Sequence, residues 1–307
     1  MIDLSIIIIN YNTKQLTLNC IESVYQSVTD FQYEVILIDN ASRDDSVQVF
    51  RHQCPQVELI ANEQNLGFSK ANNQGMQIAK GRYVLLLNSD TVIQPDTLDV
   101  MIRFMDEHPE VGASGCKVVL PDGSLDKACR RGFPTPAATF FYVSRLSKLF
   151  PKNPRINAYH REDLDPDEAY PIDCLIGAFM MVRREAIDQV GMLDEQFFMY
   201  GEDVDWCYRI KQAGWVNYYY PKTRIIHYKR ASSRNKPYKI TYEFHRAIYV
   251  LYNKHFKKKY PFWVTALMYA GIGAKLGLAM LMNVLARAGA SLRPSKPAYS
   301  SKNDISS

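Results

Sequence analysis

The sequence lacks most of the marks that place a protein quickly. Its six cysteines (Cys20, Cys54, Cys116, Cys129, Cys174 and Cys207) include no CxxC pair. That excludes the usual zinc spacings and leaves no disulfide framework, so free thiols in a reducing cytosol are expected. Neither sign of charge dominates: Lys and Arg number 37, Asp and Glu 32, for a net charge of +5. Without a zinc-finger or RRM-like signature, so mild an excess makes no case for nucleic acid. No internal repeat is present. The apolar run at 4–9 is short and has no basic residue before it, unlike a secretory leader, so the catalytic part is expected in the cytoplasm. Nor does a glycine-rich basic loop follow that run, as nucleotidyl transfer usually wants; Asn10-Tyr11-Asn12-Thr13 stands there instead.

What is present is a pattern of strands and helices. The chain of 307 residues, 47% hydrophobic, can build one large domain or two modest ones. Ser5-Ile6-Ile7-Ile8-Ile9 and Glu34-Val35-Ile36-Leu37-Ile38 read as strands buried on both faces. Shorter strands follow at 57–61 and 83–87. Between them lie helical patterns at 15–26, from a cap at Ser42 to about 54, and at 69–79. Such alternation predicts an α/β fold with a Rossmann-like, mostly parallel sheet, helices on both faces and right-handed crossovers. Strands one, two and four end in Asn10-Tyr11-Asn12, Asp39-Asn40 and Asn88-Ser89-Asp90. Open α/β sheets bind ligands outside the carboxyl ends of their strands, so Tyr11, Asp39 and Asp90 should gather along one edge.

Further on, Pro121-Asp122-Gly123 signals a hairpin between Val118-Val119-Leu120 and Leu125. Residues 133–171 are rich in Pro and charge without periodicity, and read as a long, partly mobile excursion. A short helix at 184–190 and another at 204–213, with Gly214 as its C-cap, complete this half.

Three features bear on chemistry. Asp90 follows a buried strand, where a carboxylate either reaches a metal-bound diphosphate or caps a following helix. Asp39 is either a turn residue or an acceptor for a nucleotide base. In Tyr200-Gly201-Glu202-Asp203-Val204-Asp205-Trp206 three acids open a predicted helix. They either complement the helix dipole or, set among Phe197, Phe198, Tyr200 and Trp206, are partly buried and tuned for general-base work. His227 ends the strand-like run Thr223-Arg224-Ile225-Ile226 and is either a structural histidine or a metal ligand beside a carboxylate, a set suited to Mn²⁺ or Mg²⁺.

Taken in order and spacing, these pieces resemble family 2 of the nucleotide-sugar glycosyltransferases, which have the GT-A fold. The likeness runs from about residue 3 to residue 230. It is carried by Ser5 to Asn12, Leu37-Ile38-Asp39-Asn40-Ala41-Ser42, Asn65-Leu66-Gly67-Phe68 with Ala71-Asn72-Asn73, Leu86-Leu87-Asn88-Ser89-Asp90, Gly177-Ala178-Phe179 and residues 194–209. Within the family the chain looks most like rhamnosyltransferases of bacterial surface polysaccharide synthesis. The resemblance implies a metal-dependent, inverting transfer of rhamnose or a related hexose. The donor would be a nucleotide-diphosphate sugar, dTDP favoured over UDP or GDP, and the acceptor a saccharide or a lipid-linked one. It implies donor contacts from Asn10, Tyr11, Asn12, Asp39, Asn65, Lys70, Asn88, Ser89 and Asp90. Asp90 and His227 would hold the metal, Asp203 would be the general base beside Glu202, and Gly177, Ala178 and Trp206 would face the acceptor. One departure stands out: Asn88 replaces the first acid of the family's DxD motif. An amide is a poorer metal ligand than a carboxylate, which turns Asn88 toward ribose or phosphate. Two alternatives remain at this stage: a nucleotidyltransferase, and a degenerate scaffold that binds nucleotide sugar at the membrane without turnover. The intact Glu202-Asp203 pair argues against the scaffold.

The C-terminal end differs in texture. A basic cluster at 254–259 leads into the apolar stretch 262–286, long enough to span a bilayer. Lys275 near its middle would cost about 2.5–3.5 kcal/mol on insertion, so an in-plane helix on the cytoplasmic face is an equal expectation, with a core or dimer helix as the third. The expected divisions are a catalytic domain at 1–250 (donor half 1–115, acceptor half 116–250), a membrane-associating segment at 251–288 and a disordered tail at 289–307.

Overall fold

A computed structural model describes residues 2–150, 152–229 and 237–291. β1 (Leu4–Asn10), α1 (Lys14–Tyr25), β2 (Tyr33–Asp39), α2 (Ser46–Gln53), β3 (Glu58–Ala61), α3 (Phe68–Ile78) and β4 (Tyr83–Asn88) alternate along the first half. β5 (Thr91–Ile93), α4 (Thr97–Glu107), β6 (Val111–Val119), α5 (Pro136–Val143), α6 (Leu146–Leu149), β7 (Tyr170–Pro171) and β8 (Phe179–Arg183) follow. The chain continues through α7 (Arg184–Val190), α8 (Glu202–Gln212), β9 (Val216–His227), α9 (Pro237–His255) and α10 (Phe262–Ser291).

One nine-stranded sheet runs β3-β2-β1-β4-β8-β6-β9-β5, with β7 beside β9. β3, β2, β1 and β4 are parallel, as the sequence pattern requires. Beyond β4 the directions mix: β8 is antiparallel to β4 and β6, β9 is parallel to β6, and β5 and β7 run against β9. Leu4, Ser5, Ile6, Ile7 and Ile8 are all buried. Side chains alternate between faces, so both faces of β1 are covered, which is why the run carries no polar alternation.

Some expectations change. Ser42 does not cap α2, which starts at Ser46 after Asp45. Its hydroxyl instead accepts from the backbone of Asn12 and the amide of Asn10 and ties the first two strand ends together. The stretch read as an unpatterned excursion contains α5, capped by Thr135 through Ala138 N–H at 3.2 Å, and α6. The boundary expected at 250 falls inside α9, which packs Ala247, Leu251, Tyr252 and Phe256 into the core. Residues 289–291 of the expected tail are helical, and 292–307 lie outside the described residues.

An ion network fixes α9 to the catalytic unit. Asp205 is fully buried; its carboxylate accepts from Arg209 Nε at 2.8 Å, Lys254 Nζ at 2.8 Å and His255 Nε2 at 2.6 Å. Burial alone would raise its pKa, but His255, Arg209 and Lys254 hold it down at about 2. α10 folds back on α9 through Tyr252–Thr265 and Tyr269–Asn253 hydrogen bonds. Its segment Phe262–Leu285 is long and apolar enough to cross a membrane, and none of it is buried. Asp205→Ala takes the shared carboxylate away from Arg209, Lys254 and His255 and should cost about 3–5 kcal/mol in urea unfolding. A loss under about 1 kcal/mol would mean that apolar contacts alone hold α9.

Candidate active site

The strand register gathers the site. Asn10 pairs with Asp39 and Ile9 with Asn88, so β1, β2 and β4 end at one level. Past that level lies one cleft of about 1250 Å³. Tyr11, Asn40, Asn65, Asn88, Ser89, Asp90, Gly177, Ala178, Glu202, Asp203 and His227 all line it.

On the donor side, several of the expected contact residues bond within the chain. Asn10 is buried and donates to Asp39 Oδ2 at 2.6 Å, while its carbonyl oxygen accepts from Thr13 and Thr17. Asp39 Oδ1 accepts from Ser42 N–H at 2.9 Å. Asn12, at φ +53°, accepts from Arg43 N–H. Asn10, Asn12 and Asp39 thus brace the loops beneath the cleft and are not among its lining; Lys70 is exposed on the first turn of α3, also outside it. Asn40, which the sequence reading left out of the site, does line the cleft. Its amide donates to Asn65 Oδ1 and Gly67 O, and its oxygen accepts from Leu66 N–H. Gly67 sits at φ +86°, where a Cβ would lie 2.5 Å from Phe198 O. Phe68 N–H donates to that same oxygen, so the donor loop closes on the segment leading into α8.

Asp90 caps no helix: the next element is the strand β5, whose Thr91 lies opposite His227 of β9. This pairing brings Asp90 Oδ1 to 3.3 Å from His227 Nε2. On the other ring nitrogen, Nδ1 lies 3.4 Å from Asp126 Oδ2, and Asp126 is itself held by Lys229 Nζ at 2.7 Å. Burial works against the charged imidazole, yet the hydrogen bonds to Asp126 and Asp90 raise the His227 pKa. Asp126 also feels burial, and its bonds to His227 and Lys229 bring it to about 2. Sequence reasoning missed Asp126; its only signal was a lone carboxylate just after the hairpin turn.

These residues fit a divalent ion. Ligands about 2.1 Å from an ion on adjacent octahedral corners lie about 3 Å apart, close to the Asp90–His227 separation. The Nδ1–H tautomer, donated to Asp126, frees Nε2 as a ligand, the carboxylate–histidine–metal arrangement common around bound ions. Among the described residues no group of three His, Cys, Asp or Glu side chains is placed to hold a metal ion on its own. Diphosphate oxygens and water would therefore complete the coordination.

Opposite, α8 begins at Gly201, whose φ is +83°. Asp203 Oδ2 accepts from Arg131 Nη2 at 2.6 Å and Gly177 N–H at 3.3 Å; Oδ1 accepts from Val204 N–H at 2.8 Å. Arg131 also donates to Leu175 O at 2.7 Å. Nothing periodic marks Arg131, and the sequence reading did not find it. Trp206 corrects an expectation: it is fully buried and donates to Gly191 O at 2.9 Å, so it supports the core and does not face an acceptor.

Glu202 is buried and its Oε2 has no hydrogen-bond partner. Burial, then the charge of Asp203, pushes its pKa from 4.5 to about 8. The folded value lies above the unfolded one, so its contribution to stability is whole below about pH 4.5 and fades as pH rises through about 8. Glu202→Gln keeps the shape and removes the ionisation. It should melt with the parent near pH 5 and at least about 2 °C higher near pH 9 by scanning calorimetry. A difference independent of pH would contradict a proton-loaded Glu202.

Known proteins resemble this chain in sequence and in fold. The N-acetylglucosaminyl-diphospho-decaprenol L-rhamnosyltransferase of Mycobacterium tuberculosis is 31% identical over 233 residues, 72% of this chain and 75% of its own. The rhamnosyltransferase WbbL of Escherichia coli is 25% identical over 75% of this chain and 85% of its own. The mannosyltransferase PcManGT of Pyrobaculum calidifontis, solved with GDP-Man and Mn²⁺, aligns with a TM-score of 0.56 at 17% identity, over 96% of this chain and 76% of its own. That last likeness is one of fold, the GT-A arrangement expected from the sequence. The sequence model described as glycosyl transferase family 2 matches residues 5–191, and with the relatives above it shows that the chain belongs to this family of glycosyltransferases.

Proposed function

We propose that this glycosyltransferase moves rhamnose or a related hexose, with inversion, from a nucleotide-diphosphate donor to a lipid-linked saccharide during surface polysaccharide synthesis at the cytoplasmic face of the membrane. The observation that carries the reading is the meeting, in one cleft, of Asp203 with the Asp90–His227 pair. The names of the relatives from Mycobacterium tuberculosis and Escherichia coli support rhamnose, and the former supports an N-acetylglucosaminyl-diphospho-lipid acceptor. A dTDP donor is favoured over UDP or GDP.

Tyr11, Asn40, Asn65, Asn88 and Ser89 line the donor end and would hold nucleotide and ribose. A divalent ion on Asp90 Oδ1 and His227 Nε2 would neutralise charge on the departing diphosphate. Asp126 holds the His227 ring in place from behind. Of the two acids at the start of α8, Glu202 has its pKa raised by burial and by the charge of Asp203, which favours its protonated form and turns the base role toward its neighbour. Asp203 is therefore the base: Arg131 and Gly177 N–H fix its Oδ2, and the carboxylate takes the acceptor hydroxyl proton as the new bond to the anomeric carbon forms. Attack opposite the leaving group inverts that carbon.

Asp203→Asn should lower kcat by roughly 10²–10⁴-fold while donor affinity by calorimetric titration stays within about two-fold. A kcat within about three-fold of the parent would remove Asp203 from the role. Asp90→Ala should abolish the part of the nucleotide-induced thermal shift that Mn²⁺ or Mg²⁺ adds and EDTA removes. Retention of that part would place the metal elsewhere.

A further inference from the structure

The cleft does not end at Asp203. It continues without a break between α5 and the α9–α10 pair, as far as Gly271 and Lys275 in the middle of α10. Its lining changes along the way. At the inner end stand Asp90, His227 and Asp203; at the outer end stand Phe140, Ile240, Phe244, Ile248, Leu267 and Ile272. Several outer walls are open to solvent: Phe140 is 61% exposed, Phe244 48% and Leu267 66%. Lys239 lines the cleft on α9, its ammonium 3.8 Å from the centre of the Phe198 ring, with no carboxylate partner among the described residues.

We propose that this outer groove seats the hydrocarbon chain of a phosphate-linked lipid acceptor, with Lys239 on its phosphate, so that the sugar at its head reaches Asp203. The inference rests on the function proposed above and names the acceptor's binding path. The continuity of the cavity selects the occupant. A free saccharide would fill the polar end and leave the apolar walls wet, whereas a second protein copy on the apolar walls would leave the polar end unfilled. One molecule with a polar head and an apolar chain satisfies both ends at once. The groove finishes against the one described helix long and apolar enough to cross a membrane, so a chain lying in it passes directly into the bilayer. Burying a prenyl or acyl chain gains roughly 0.8 kcal/mol per CH₂, enough to make chain length a determinant of affinity.

The test uses the full chain on vesicles of phosphatidylcholine and phosphatidylglycerol with two photoactivatable probes, a diazirine-bearing prenyl diphosphate and a diazirine-bearing phosphatidylcholine. Labelled peptides are mapped by mass spectrometry. The prenyl diphosphate should mark α5, α9 and the first half of α10. That labelling should fall at least five-fold in Phe244→Asp, Phe140→Asp and Lys239→Ala, all at exposed or half-exposed positions outside α10. The nucleotide-induced thermal shift should be unchanged in all three. Equal marking of the groove by the phosphatidylcholine probe, marking elsewhere, or labelling indifferent to the three substitutions would overturn the proposal and leave an ordinary membrane contact. Loss of the nucleotide shift in the parent protein would instead sink the proposed transfer, so the two failures are distinct.

Discussion

Parallel pairing of β1 with both β2 and β4 sets three chain reversals at one level, and the rest of the site depends on that register. Asn10 opposite Asp39 and Ile9 opposite Asn88 leave Tyr11, Asn40 and Asn88 to line one cleft. A slip of one residue in either pairing would exchange the faces of a strand and draw polar ends into the core. The buried Asn10–Asp39–Ser42 network resists such a slip, because each of its atoms is satisfied only in this register. From that edge, β5 carries Asp90 across to β9 and His227. The metal-facing pair is thus an outcome of strand pairing between segments more than a hundred residues apart.

Helix α8 shows how one short acidic run serves separate ends. Two residues along a helix turn a side chain through about 200°, so Asp203 and Asp205 point nearly opposite ways. Asp203 faces the cleft and Arg131; Asp205 faces His255 and Lys254 and fixes α9. Glu202 lines the cleft as well, and burial and the charge of Asp203 raise its pKa by more than Arg131 lowers it. Glu202 and Asp205, three positions apart, are therefore shifted in opposite directions, and the difference lies in what the fold brings to each.

The sequence made the first half of this structure readable because a strand covered on both faces leaves an unmistakable mark. Ile6 to Ile9 and Val35 to Ile38 admit few other readings, and the polar residues that end them mark the binding edge. Gly177, Ala178, Glu202, Asp203, Asp90 and His227, named by the family resemblance, line one cleft. The supports were not readable. Arg131 and Asp126 sit in irregular segments where no period points anywhere, and their meaning comes only from partners 72 and 101 positions away. Trp206 was misread for a related reason. An aromatic beside acids resembles a sugar platform, and only the packing of α8 against Gly191 shows the indole turned inward. Asn10 and Asp39 lay between these cases: the right place was legible, but not that their hydrogen bonds are taken up beneath the cleft.

The close approach at Gly67 has a consequence for how this chain can drift over generations. Two separate penalties fall on one hydrogen atom there: a left-handed backbone, and a collision with the backbone of Phe198. A roomier neighbour would relieve neither the strain nor a clash with main chain, so compensating changes elsewhere have little to offer. Position 67 is thus closed to variation for as long as the lineage keeps the cleft. A copy of this chain that has exchanged that glycine has also let go of the segment that carries Glu202 and Asp203 into place.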